Sequence, residues 1–294
     1  MTQFLFRGER FEAKPVEAGL HLVATPIGNL GDITIRALDT LARANLILAE
    51  DTRVTKGLLT HFGIATPLMA YHEHNAAREE AQLVARLKAG ETLALVSDAG
   101  TPLVSDPGQK LAQAAIVAGI PVTTEPGASS VLAALVLAGL PAERFAFEGF
   151  LPSKQGERRR RIREISALPM TLVIFEAPHR LVETLQDLAA LLGSREAAVA
   201  REITKKFETV RRGVLPDLAQ IYASEGAPKG EIVIVIAPPA PETPPEGDAI
   251  DAALRKALAL HTPRDAVEIV AGELGLKRRE VYARALRLSE KNGG

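Results

Sequence analysis

Apolar runs of four to six residues recur along this chain, and each ends in a small-residue or polar turn: Leu20–Ala24, Asn45–Ala49, Pro67–Tyr71, Thr92–Val96, Pro121–Thr124, Phe145–Phe150, Met170–Phe175, Ala197–Arg201 and Ile232–Ile236. Runs this short, without polar alternation, fit strands buried on both faces. Between them lie helical patterns: from about Ile33, around Lys56, Leu58 and Leu59, through about Lys88, toward Gly119, from Ser130, and to about Leu192. Strands alternating with helices predict an α/β fold, whose ligands bind at the loops that leave the strands.

Those loops carry the candidate chemistry. Ser97 to Gly108 is rich in small residues, with Asp98 and the hydroxyls of Ser97, Thr101 and Ser105 available to fix polar groups. It reads as a cofactor seat or as an ordinary strand-to-helix turn capped by Asp106. Thr25 to Asp32 is a second loop, ending in a possible cap. Glu50-Asp51-Thr52-Arg53 is a third, where Asp51 or Thr52 either caps the following helix or meets a ligand. Pro126-Gly127-Ala128-Ser129-Ser130 opens another helix, whose free N–H groups suit a polar ligand end.

The second half is more basic in its turns. Arg158, Arg159, Arg160, Arg161 and Arg163 cannot all leave by one helix face, so they bind phosphates or cover a solvated surface. Lys205 and Lys206 are adjacent: either both are solvated, or a cleft holds the like charges together and lowers one ammonium pKa. In an extended segment His72 and His74 would share a face, but with no third metal ligand indicated, substrate or backbone contacts are the stronger reading.

Composition narrows the class. At 47% hydrophobic and 24% charged over 294 residues, the chain can bury two cores. A net charge of -1 makes any attraction to nucleic acid local. With no Cys, disulfides, thiolate catalysis and Cys-based zinc sites are excluded. No apolar run has the length of a membrane span or a secretory signal, so a cytoplasmic location with no membrane partner is expected. Pro238 to Gly247 is a proline-rich linker, and beyond it Arg264–Glu273 and Lys277–Leu288 predict a helix-turn-helix layout. That layout serves RNA docking, or packs on the main body or a second subunit. The expected divisions are 1–19, an N-terminal tail; 20–126 and 127–237, two α/β domains; 238–248, the linker; and 249–294, the helical module.

Six ordered motifs together resemble one family: Thr25 to Asp32, Ala49 to Arg53, Ser97 to Gly108, Pro126 to Ser130, Glu176-Ala177-Pro178-His179-Arg180, and Arg201 to Glu208. They are similar to the small-subunit ribosomal RNA methyltransferases of the tetrapyrrole methylase superfamily, over roughly Leu20 to Pro238. The resemblance implies two α/β domains of the tetrapyrrole methylase type with the cofactor cleft between them. It also implies S-adenosyl-L-methionine as cofactor, a homodimer, and 2′-O-methylation of a cytidine in the decoding region of 16S rRNA within the small ribosomal subunit. Cofactor positions carried over are Pro26, Gly28, Asp98, Ala99, Gly100, Thr101, Val104, Ser129, Ser130, Glu176 and Gly230. Many superfamily members read Gly-Asp-Pro in the central loop where this chain has Gly100-Thr101-Pro102, its carboxylate standing upstream at Asp98.

A ribose hydroxyl needs a general base. Lys206, or Lys205 beside it, is the candidate, with Asp51 or Glu176 orienting it or the ribose. Arg53, Arg180, Arg201 and Lys205 are candidate RNA contacts, and Arg158, Arg159, Arg160 and Arg161 a wider RNA-binding surface. A tetrapyrrole methyltransferase and a non-enzymatic RNA-binding protein are the rival readings.

Overall fold

The protein is described by a computed structural model over residues 2–240, 247–274 and 276–291. Two compact units divide the chain, Met1–Pro239 and Ala240–Gly294. The first opens with a hairpin of β1 (Gln3–Phe6) and β2 (Glu9–Glu12), turned by Arg7 and Gly8 at φ 51° and 85°. The segment read as a tail is therefore paired structure. Phe4 anchors it in a cluster with Ala37, Leu38 and Leu41, while all four residues of β2 are exposed.

β3 (Gly19–Val23), β4 (Leu46–Ala49), β5 (Leu68–Ala70), β6 (Thr92–Val96) and β7 (Val122–Glu125) form an all-parallel sheet in the order β5-β4-β6-β3-β7. α1 (Ile35–Arg43), α2 (Thr52–His61), α3 (Glu73–Lys88) and α4 (Gln109–Val117) complete the crossovers. Leu20, Leu46, Leu48, Leu93 and Leu95 fill one face, and Val23, Ile47, Ala49, Ala94 and Val96 the other. Burial on both faces removes polar alternation from these strands. Thr34, rather than Asp32, caps α1, its Oγ1 accepting the Ala37 N–H at 3.1 Å. α3 begins at Glu73, so His74 lies in a helix and the extended alternation expected for His72 and His74 does not exist; the side chain of His74 is outside the described ones.

After β7 the chain changes sheets. α5 (Ser130–Ala138) packs Val131, Ala134 and Leu135 against Val173, Val233 and Val235 of a second sheet. That sheet comprises β8 (Phe145–Phe150), β9 (Thr171–Glu176), β10 (Glu196–Arg201), β11 (Thr209–Val214) and β12 (Ile232–Ile236) in the order β11-β10-β12-β9-β8, with only β8 and β9 parallel. Val210 sits in β11 and joins the core that α5 shares with this sheet. α6 (Gln155–Ile165), α7 (Leu181–Leu192) and α8 (Leu215–Glu225) cover the other face, where Ile232, Ile234 and Ile236 meet Leu181, Leu185 and Leu218.

In the second unit α9 (Gly247–Leu258), α10 (Pro263–Glu273) and α11 (Arg278–Lys291) share a core of Leu254, Val267, Val270 and Val281. The first of these helices was not singled out in the sequence. Residues 241–246 of the proline-rich stretch lie outside the described residues. Among the described residues no helix is long and apolar enough to cross a membrane, and no group of three or more His, Asp or Glu could hold a metal ion.

Candidate functional site

Four loops leaving the parallel sheet are sewn together by their own backbone. Thr25 and Gly100 exchange N–H···O bonds of 2.9 and 3.1 Å. Thr25 Oγ1 donates to the Ser97 carbonyl at 3.1 Å, and Thr101 Oγ1 to the Ala128 carbonyl at 3.3 Å. Asp98 Oδ1 accepts the Asp51 N–H at 3.0 Å, fixing the loop after β4 to the loop after β6. Ser129 caps α5, accepting the Leu132 N–H. Ile27 reaches from the first loop into the core that α5 shares with the second sheet.

The second sheet supplies the facing wall. Glu176 ends β9 fully buried, its Oε1 accepting the Ala177 N–H at 2.8 Å and its Oε2 the Thr184 hydroxyl at 2.5 Å. Gly230 precedes β12 at φ 102°, where a Cβ would overlap the Glu202 side chain. Glu202 Oε1 in turn accepts from Lys205 Nζ at 2.9 Å and the Glu231 N–H at 3.0 Å, and Lys205 Nζ also reaches Glu231 Oε2 at 3.0 Å. The Lys205 stem lies where a Cβ on Gly28 would sit, so the first loop and the second sheet meet here.

Between the walls lies a cavity of about 400 Å³. Asp98, Ala99, Gly100, Thr101, Val104, Ser129, Ser130, Glu176 and Gly230 line it, together with Ile27, Glu50, Ser105, Asp106, Phe150, Glu231 and Ile232. Pro26, Gly28, Asp51 and Lys206 are not in its wall. Pro26 is buried beside Ile27, and Lys206 is exposed, its ammonium 5.7 Å from the Phe207 ring. A wider depression of about 600 Å³ beside the β1–β2 hairpin brings together none of these loops.

Electrostatics correct two readings. Burial opposes the charge on Lys205, but its bonds to Glu202 and Glu231 outweigh that and raise its pKa above the usual lysine value. Its neighbour therefore does not hold Lys205 in a lowered, base-like state; two carboxylates dominate the adjacent ammonium. Asp51 is held down to about 2 by hydrogen bonds from the Arg53 side chain and N–H, so it stays a carboxylate at working pH. Asp106 goes the other way, pushed up to about 6 by burial and by the charges of Glu50 and Asp98. It caps nothing, since α4 takes Gly108 as its N-cap without a side-chain bond.

Because the folded protein holds the Asp106 proton more tightly than the unfolded chain, this group's contribution to stability falls as pH rises from about 4 to about 6 and stays low above that. Asp106→Asn should raise the unfolding midpoint of the ligand-free protein at pH 8 and leave it unchanged at pH 4, as measured by calorimetry.

The arginines divide into two sorts. Arg158 is 1% exposed and bonded to Asp187 at 2.8 Å, joining α6 to α7, so it is not an RNA-facing group. Arg161 is tied to Glu148 and Glu164, and Arg159 lies 3.7 Å from Asp187. Arg180 donates to the carbonyls of Leu151 and Pro152, and Arg201 to those of Phe207 and Lys229. Arg53 and Arg160 are the most solvent-exposed, at 89% and 74%, although Arg53 is bonded to Asp51 at 2.6 Å and Arg160 lies 3.9 Å from Glu164. Ser105 and Glu50, named in the sequence within their loops but not among the cofactor positions, line the cavity; Phe150 and Glu231 were missed there, and the adjacency of Glu231 to Gly230 was the available signal.

A parallel sheet is thus joined to a mixed one around this small-residue cleft. The family model for Tetrapyrrole (Corrin/Porphyrin) Methylases matches residues 19–219, and that for the RsmI C-terminal HTH domain matches residues 244–289. Ribosomal RNA small subunit methyltransferase I of Mesorhizobium japonicum is 47% identical over 96% of this chain and 96% of its own length. The protein of the same name from Xylella fastidiosa is 49% identical over 90% of this chain and 97% of its own. A crystal structure of uroporphyrin-III C-methyl transferase from Thermus thermophilus, complexed with S-adenyl homocysteine, superposes with a TM-score of 0.52 at 21% identity, covering 74% of this chain and 96% of that one. The chain belongs to the ribosomal RNA small subunit methyltransferase I family of the tetrapyrrole methylases.

Proposed function

We propose that this protein 2′-O-methylates a cytidine in the decoding region of 16S rRNA, acting on the small ribosomal subunit as a cytoplasmic homodimer. Family membership carries the coarser part: it is an S-adenosyl-L-methionine-dependent ribosomal RNA methyltransferase. The cleft cavity is the observation that supports the cofactor's place. At about 400 Å³ it is within the range of small-molecule sites. Gly100 and Gly230 keep its walls close to backbone, Ser129 and Ser130 present the start of α5, and its charged lining residues are all acidic, which suits a cationic ligand. When bound, S-adenosyl-L-methionine supplies an electrophilic methyl group.

The chain's own task is to hold a ribose hydroxyl in line, exclude water and remove its proton. Lys206 is the proposed base, an exposed amine adjacent to Lys205 and outside the cavity wall. Asp51 and Glu176 are the proposed orienting groups, acting from the ends of β4 and β9. Arg53 and Arg160 supply exposed guanidiniums for phosphates, each beside one carboxylate, and Phe150, 57% exposed at the cavity wall, offers a ring for stacking an unpaired base.

The test is methyl transfer from labelled S-adenosyl-L-methionine to small subunits from a strain lacking this gene, with mass-spectrometric mapping of the product. A 2′-O-methylated cytidine in the decoding region is expected; label in a tetrapyrrole and none in RNA would overturn the substrate. Lys206→Ala should slow single-turnover transfer by about 10²-fold or more at saturating RNA and cofactor. A near-normal rate would remove Lys206 as the base.

A further inference from the structure

The loop between β6 and α4 is strained where it faces the cavity. Leu103 and Ser105, neither of them glycine, adopt φ of 71° and 65°, and Gly108 closes the loop at 122°. Such backbone is costly for a residue with a side chain. Leu95 and Leu103 fill the space a Cβ on Gly108 would need, and Ser105 Oγ lies 3.3 Å from the Cβ position of Gly149 in β8. The strained turn sets Asp106 in the cavity wall, partly buried.

Asp106 differs from its neighbours in having no bonded partner. Asp98 holds the Asp51 N–H, Glu176 holds Ala177 and Thr184, and Glu231 is paired with Lys205. Among the described residues none donates a hydrogen bond to the Asp106 carboxylate, and no Lys, Arg or His lines the cavity. Glu50 from the end of β4 and Asp98 from the end of β6 repel it. Across the cleft the charged groups are Glu176, with Arg180 beside it, and Glu231, with Lys205 bound to it. An ionised, unpaired carboxylate among like charges costs the empty protein stability, and a cation placed in the cavity would offset that cost.

We propose that Asp106 is the group by which the cleft reads the positive charge on the cofactor's sulfur, so that S-adenosyl-L-methionine is held more tightly than its neutral thioether product, S-adenosyl-L-homocysteine. The inference rests on the cofactor assignment above. Both molecules carry the same ammonium, carboxylate and adenosine, and they differ at the sulfur in charge and one methyl. A carboxylate that reads the sulfonium therefore favours the donor and loses its hold once the methyl has gone, which speeds exchange of product for fresh cofactor. It also makes donor affinity fall as pH drops through about 6, because protonation discharges Asp106.

Calorimetric titration of the intact protein tests this with three ligands: the donor, the thioether, and an analogue bearing an ammonium in place of the sulfonium. At pH 8 the native protein should prefer the donor and the ammonium analogue to the thioether by about tenfold or more. Asp106→Asn should abolish that preference while leaving thioether affinity within about twofold, and Asp106→Glu should keep part of it. The native preference should shrink at pH 5 and that of Asp106→Asn should stay flat. Equal loss for donor and thioether, or an unchanged preference, overturns the role of Asp106. Failure of the native protein to bind any of the three would overturn the cofactor assignment and this inference with it.

Discussion

Arg158→Ala should lower the stability of the first unit by about 3–5 kcal/mol, the usual result of leaving one partner of a buried ion pair alone. Arg158 is 1% exposed and Asp187 is buried; the guanidinium donates to Asp187 Oδ2 at 2.8 Å and to the Ser153 carbonyl at 3.2 Å. Removing it strands the carboxylate between α6 and α7, with Gln155 at 3.4 Å and the Arg159 guanidinium at 3.7 Å as its remaining partners. Chemical denaturation reads the loss directly. Arg158→Met with Asp187→Leu should recover most of it, because apolar side chains of similar volume need no counter-charge. Arg160→Ala, two positions along the same helix but exposed, should leave stability within about 0.5 kcal/mol and weaken RNA binding in a salt-dependent way. A marked loss of RNA affinity in the folded Arg158→Met/Asp187→Leu protein would reverse the assignment.

Gly230→Ala should weaken cofactor binding by at least about tenfold, with a smaller effect on the fold. Its φ of 102° costs any other residue on the order of 1–3 kcal/mol. The new methyl would also displace Glu202, whose carboxylate holds both Lys205 and the Glu231 N–H. Glu231 and Gly230 both line the cavity, so a disturbed network reaches the bound ligand through its wall. Titration with S-adenosyl-L-methionine measures the effect. The double variant with Glu202→Ala should relieve the overlap and leave the backbone cost, so its recovery should be partial. Unchanged affinity in Gly230→Ala would show that this corner does not shape the site.

Which elements were legible follows from burial. The strands with apolar runs are buried on both faces, as Leu93 to Val96 and Ile232 to Ile236 are, and need no partner to be recognised. β2 and β11 carry mixed or exposed side chains and owe their form to pairing with β1 and β10, which no local pattern records. The loops of the cleft were visible because close backbone approach demands small residues, as at Gly100 and Ser129. What each charged side chain does was not. The partner of Arg158 is 29 positions away, and Lys205 is held by Glu202 close by and by Glu231, 26 positions on. Asp106 was legible as a residue but not as an unpaired charge, since only the fold brings Glu50 and Asp98 beside it.

The crossing of α5 from the parallel sheet to the mixed one has a consequence for how the protein is made. Ile27, near the beginning of the chain, shares its core with Val233 and Val235, close to the end of the first unit. Contacts of such separation form late, after the loop-closure entropy of the intervening chain has been overcome. A nascent chain that has emerged through β7 can complete the parallel sheet but has only half a cleft. Cofactor affinity should therefore arise in one step with synthesis of β12, and truncated translation products should be unable to sequester the methyl donor.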